Sequence, residues 1–113
     1  MKKIIIKDKS FKFAVRIINL DIYLKEKKKE FTLSKQILRS ATSIGANIEE
    51  ATGGVLKADF KNKLSTSYKE ARETHYWLRL LKETKFINDH MFQSLEKDCD
   101  EIKRILYTII KRL

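Results

Sequence analysis

The sequence has no proline, three glycines and one cysteine among its 113 residues. Without proline, no helix need be kinked or broken by one. So few turn formers argue against a β-sandwich or barrel, which needs a turn signal roughly every 8–12 residues. A lone cysteine rules out an internal disulfide, and with it a cysteine-stapled secreted scaffold. Long apolar runs are missing too. The longest uncharged stretch, Ser40 to Ile48, is studded with polar residues and falls far short of a membrane span. The start, Met1 to Asp8, holds an apolar run of only three isoleucines, too short for the core of a signal peptide.

What is present is 42% hydrophobic and 35% charged residues. A disordered chain has less of the first and a membrane protein less of the second. A small, cytoplasmic, all-α protein is expected. The net charge is +10, from 25 Lys and Arg against 15 Asp and Glu. Such an excess favours polyanions as partners. It equally suits a lysine-rich surface that only keeps the chain in solution, and charge alone leaves both readings open.

Periodicity divides the chain into four helices, expected over residues 11–30, 34–52, 57–86 and 89–112. Ser10 is a candidate N-cap for the first, and the second starts behind Ser34. Gly53-Gly54 is expected to end the second with a left-handed residue. Asn88 and Asp89 can cap the fourth. Short links between long helices force antiparallel neighbours, hence an up-down-up-down bundle.

Apolar seams support this. Ile37, Ala41, Ile44, Ile48 and Ala51 recur at alternating spacings of 4 and 3. So do Phe60, Leu64, Ser67, Ala71, Thr74, Leu78 and Leu81, and so do Phe92, Leu95, Cys99, Ile102, Leu106, Ile109 and Leu113. Sustained 3/4 spacing keeps one stripe facing a neighbouring helix.

The first helix carries two such stripes, Phe11, Val15, Ile18, Ile22 and Phe13, Ile17, Leu20, Leu24. At about 100° per residue they lie on nearly opposite sides. A bundle buries one side, so the second stripe is expected in a subunit interface. The alternative is that Ile4-Ile5-Ile6 folds back over it. Tyr76 and Trp77 are further interface candidates, because such aromatics often anchor contacts between chains.

Ser40, Ser43, Asn47 and Glu50 form a polar row beside the second seam. A close, hydrogen-bonded helix contact explains it better than a catalytic row. Arg39 is expected to pair with Glu70 and Glu73 across the Gly53-Gly54 turn. Lys61, Tyr68, Arg72, His75 and Arg79 fall along one edge of the third helix, and Lys12, Arg16, Asn19 and Tyr23 along the first. Cations neutralise phosphates and tyrosine stacks on bases, although such faces are often merely solvated. No metal-ligand spacing joins His75, His90 and Cys99. Cys99 falls in a core seam, where a thiol is normally inert. Glu49-Glu50 and Glu70-x-x-Glu73 could hold Mg²⁺ in principle, but Arg72 interrupts the second pair and no phosphate-binding loop accompanies them.

The stretch Leu38-Arg39-Ser40-Ala41-Thr42-Ser43-Ile44-Gly45-Ala46-Asn47-Ile48-Glu49-Glu50-Ala51 resembles the central motif of a family of small four-helix-bundle proteins. That family includes proteins encoded within intervening sequences of bacterial large-subunit ribosomal RNA genes, labelled S23 ribosomal proteins, and the accessory variability determinant of diversity-generating retroelements. Ser10-Phe11-x-Phe13-Ala14, Phe60-x-x-x-Leu64 and Glu70-Ala71-x-Glu73-Thr74-x-Tyr76-Trp77-Leu78 extend the likeness over most of the chain. The Ser65-Thr66-Ser67-Tyr68 step departs from the small-residue step of many members. The resemblance implies a bundle assembling as a ring-shaped homopentamer, a basic surface suited to nucleic acid and no catalytic residues. By the same likeness, Arg39, Ser40, Ser43, Asn47 and Glu50 are structural or interface positions.

The resulting expectation is a single all-α domain over residues 1–113, homo-oligomeric, binding RNA or DNA through Lys12, Arg16, Lys61, Arg72 and Arg79. No enzymatic activity, cofactor, metal, membrane or small-molecule substrate is expected. The alternatives are a protein-interaction scaffold or accessory subunit and, less favoured, a Mg²⁺-dependent nucleotide hydrolase.

Overall fold

The first helix, α1 (Lys2–Lys27), starts well before Ser10. A computed structural model describes residues 2–54 and 56–113, with side chains from residue 5 onward. Ser10 is no cap. It lies buried inside the helix, its hydroxyl donating to the Lys7 carbonyl at 3.1 Å. With Ile6 and Ser10 included, one seam of α1 reads Ile6, Ser10, Phe13, Ile17, Leu20, Leu24, spaced 4, 3, 4, 3, 4, and every member is buried. It outruns the other stripe by two positions, so the bundle takes this side.

The two stripes of α1 therefore exchange roles. Phe13, Ile17, Leu20 and Leu24, expected between subunits, fill the core of the chain itself. Phe11, Val15, Ile18 and Ile22 point outward, at 67, 44, 42 and 48% exposure. The isoleucine run does not fold back. Its residues continue the helix, with Ile6 buried and Ile5 exposed, while the Ile4 side chain lies outside the described residues.

The remaining helices are α2 (Thr32–Gly53), α3 (Lys57–Glu83) and α4 (Asp89–Lys111). Their expected seams are buried, except that Phe60 is half-buried and Leu113 exposed. Each helix packs on its chain neighbours, and α1 meets α4 to close the set. The diagonal pairs make no comparable contact among the described residues. The result is a four-helix bundle of 44 × 20 × 18 Å. No helix among the described residues is long and apolar enough to cross a membrane.

Helix ends hold three surprises. The α2 start is capped from outside by Glu30, whose carboxylate accepts the Thr32, Leu33 and Ser34 amides at 3.2, 3.1 and 2.8 Å. Ser34 is inside the helix and returns a bond from its hydroxyl to the Glu30 carbonyl at 2.9 Å. Gly54 ends α2 in an extended conformation, φ −77° and ψ 155°, and not in the left-handed one. Left-handed backbone falls instead on Lys29 (φ 54°) and Lys85 (φ 65°). At Lys85 the paired bonds of a Schellman end form, Phe86 N–H to Leu81 and Lys85 N–H to Lys82, both 3.0 Å. As expected, Asn88 caps α4 by accepting the Met91 amide at 2.8 Å.

The α2–α3 contact carries buried hydroxyls. Ser40 Oγ and Thr74 Oγ1 lie 2.8 Å apart, and Ser67 donates to the Ile44 carbonyl at 2.8 Å. Of the expected polar row, only Ser40 is buried. Asn47 bonds within its helix to the Ser43 carbonyl at 2.8 Å, and Glu50 forms an exposed pair with Lys63 at 3.5 Å. Between α1 and α2, a Cβ placed on Gly45 would lie 3.5 Å from Ser10 Oγ, an ordinary van der Waals contact, so the helices meet closely there with room for an alanine.

Candidate nucleic-acid interface

The five cations expected to meet nucleic acid do not share one surface. Lys61, Arg72 and Arg79 are exposed along the outer edge of α3. Arg72 and Arg79 stand one turn beyond Tyr68 and His75, the residues of α3 that lean on α4. Lys12 and Arg16 belong to α1, which touches α4 but not α3. The two groups are separated by the bundle.

Arg16 is also occupied. Its guanidinium donates to Asp98 at 2.6 Å and to Ser94 Oγ at 2.8 Å, fastening α1 to α4. Lys12 pairs with Asp8 at 3.0 Å within one exposed face. Arg79 lies 5.7 Å from the Tyr76 ring centroid. Tyr76 is exposed and meets Trp77 edge-on at 5.2 Å, while Trp77 is partly buried against the core.

The α3–α4 seam is tied by a polar chain. His75 Nε2 lies 2.8 Å from Glu96, and Lys103 Nζ lies 3.0 Å from His75 Nδ1. An ammonium only donates, so Nδ1 must accept and the ring proton sits on Nε2, donated to Glu96. Lys103 also reaches Asp100 at 3.2 Å.

The α4 contribution is not evident from the sequence. Asp100, Arg104, Tyr107 and Lys111 repeat at spacings of 4, 3 and 4. That stripe is the signal, hidden by the stronger apolar seam on the same helix. Arg104, Tyr107 and Lys111 are exposed. Tyr107 and Tyr68 rings face each other at 6.1 Å, inclined at 46°. Lys61, Arg72 and Arg79 on α3 and Arg104 and Lys111 on α4 are thus exposed on two helices that pack against each other.

The carboxylates considered for Mg²⁺ are each engaged by a cation. Arg39 holds Glu70 at 3.3 Å and also Glu73, as the spacing predicts. Glu49 pairs with Lys7 and Glu50 with Lys63, both at 3.5 Å. Among the described residues, no three His, Cys, Asp or Glu side chains gather as a metal-holding group. Cys99 is buried, its thiol donating to the Ala71 carbonyl at 3.4 Å, and burial pushes its pKa up to about 12. A thiol held neutral in this way is a poor nucleophile.

The chain is similar to a structurally determined protein of unknown function from the S23 ribosomal protein family of Bacteroides thetaiotaomicron VPI-5482. The two share 53% identity and a TM-score of 0.97, over 98% of this chain and 99% of that one. No curated protein matches it. Residues 2–108 match the family model described as 23S rRNA-intervening sequence protein. With nearly the whole length matched and the four helices in place, the chain belongs to the 23S rRNA-intervening sequence protein family.

Proposed function

We propose that this protein is a non-enzymatic, homo-oligomeric nucleic-acid-binding protein whose contact surface is the α3–α4 face. The observation that carries this reading is the exposure of Lys61, Arg72 and Arg79 along α3 and of Arg104 and Lys111 along the adjoining α4, two helices joined at Tyr68 and Tyr107, on a chain of net charge +10. Cations at this density neutralise phosphates, and contacts of that kind position a strand with little sequence preference. Lys12 and Arg16 have a lesser part, because Arg16 is spent on Asp98.

An exposed apolar stripe supports the oligomeric part of the reading. Phe11, Val15, Ile18 and Ile22 form an exposed apolar stripe. Leaving it wet would forgo about 1.5–3 kcal/mol per fully buried side chain, so we assign it to contact with further copies; that these number five, in a ring, is what the family resemblance implies. Repetition of one basic face around a ring raises avidity without any new contact. The same stripe favours a second reading, an accessory subunit that docks another protein through α1.

Salt titration tests the first. With about five phosphate contacts on a single strand, affinity should fall roughly 100-fold between about 50 and 200 mM salt. Affinity that ignores salt, or that survives Arg72→Glu with Arg79→Glu, would remove this face from the proposal. A monomer that binds no nucleic acid would leave the accessory-subunit reading.

A further inference from the structure

Between α3 and α4 lies an open cleft of about 460 Å³, lined by Tyr68, Asp100, Lys103, Arg104, Tyr107 and Thr108. That volume falls within the roughly 300–1,000 Å³ of small-ligand sites. Two tyrosine rings stand 6.1 Å apart at an inclination of 46°, so they splay and do not stack on each other. Tyr107 is 54% exposed, a large aromatic left in water next to a cavity. Lys103, by contrast, is fixed by His75 and Asp100.

We propose that this cleft seats one unpaired nucleobase of a single-stranded nucleic acid, stacked on Tyr107, with the flanking phosphates held by Arg104 and Lys111. The proposal rests on the nucleic-acid reading above and sharpens it from a charged face to a site for single strands. A ring stacks on any base, so the site tolerates sequence. In a duplex the base is already stacked and paired, and its face is closed to Tyr107. Lys111 Nζ lies over the Tyr107 ring, 5.9 Å from its centroid; a base stacking on that face displaces the flexible ammonium, which then meets the adjoining phosphate. Asp100 offers only acceptors, one of them already used by Lys103. Its other oxygen suits the exocyclic amine of adenine, cytosine or guanine.

The test uses the full-length protein, a short oligoadenylate, and an abasic oligomer of the same length that has phosphates but no bases. Tyr107→Leu keeps apolar bulk and removes the ring; Tyr107→Phe keeps the ring and removes the hydroxyl. Tyr107 is largely outside the core, and thermal melts of both variants should match the parent. Oligoadenylate affinity should fall roughly 5- to 160-fold in Tyr107→Leu, the range of one lost stacking contact. It should hold in Tyr107→Phe, and abasic affinity should be the same in all three proteins. Unchanged oligoadenylate binding by Tyr107→Leu, with loss on reversing Arg72 and Arg79, would overturn the base site and leave the charged face standing. Failure of the parent protein to bind either oligomer would overturn both.

Discussion

Ser40 and Thr74 meet hydroxyl to hydroxyl at 2.8 Å across the α2–α3 contact, both closed to solvent. Each also has a carbonyl of its own helix in reach, Ile37 for Ser40 and Glu70 for Thr74. The pair is therefore fully satisfied, and removing one hydroxyl strips a partner from the other. Ser40→Ala should lower unfolding free energy by about 1 kcal/mol. A double-mutant cycle with Thr74→Ser, Thr74→Ala and urea denaturation should return a coupling of at least about 0.5 kcal/mol.

The exchange of stripes on α1 gives a paired prediction. Ile17→Glu forces an unpaired charge into the core and should prevent folding, with loss of the helical circular-dichroism signal. Ile18→Glu changes only the outward stripe and should fold normally. If that stripe joins subunits, light scattering will show a lower mass for Ile18→Glu than for the parent.

Glu30 should act as the cap of α2, although it precedes the helix by two residues. Glu30→Ala leaves the Thr32, Leu33 and Ser34 amides without their carboxylate. The urea midpoint should shift by the equivalent of about 1 kcal/mol.

Lys85 holds a left-handed backbone that suits glycine better. Lys85→Gly should raise stability by roughly 0.5–1 kcal/mol, and Lys85→Val should lower it. Thermal melts of the two variants, moving in opposite directions, check both the angle and its cost.

Burial raises the Cys99 thiol from 9.0 to about 12. Its folded pKa lies above its unfolded one, so the stabilisation is complete below pH 9 and is lost as pH rises towards 12. Urea midpoints should fall over that window, and Cys99→Ala should fall less steeply. A thiol reagent at pH 8 should label Cys99 readily only after denaturation.

The seams of α2, α3 and α4 were legible because each helix carries one stripe, and a single stripe has only one place to go. α1 has two of similar strength, and its four-residue windows are equally apolar. What decides between them is Ile6 and Ser10, and a serine at that point reads as a cap until Phe11 to Leu24 is seen as a continuation. The Arg39 pair with Glu70 and Glu73 was legible because an antiparallel turn fixes which residues lie opposite. The grouping of cations was less so. Spacing placed Lys12 and Arg16 on one helix and Arg72 and Arg79 on another, but only the packing order shows that α1 and α3 lie on a diagonal. Arg104 and Tyr107 are hard to read for a related reason: the core seam of α4 is so regular that it masks the outer stripe.

Trp77 is the chain's single tryptophan. Its indole N–H donates at 3.0 Å to Glu73, the carboxylate that also holds Arg39. Tryptophan emission from the protein thus comes from one indole at one joint. Any loosening of α2 against α3 should alter its intensity and colour, so the molecule reports on its own integrity in fluorescence without an added dye.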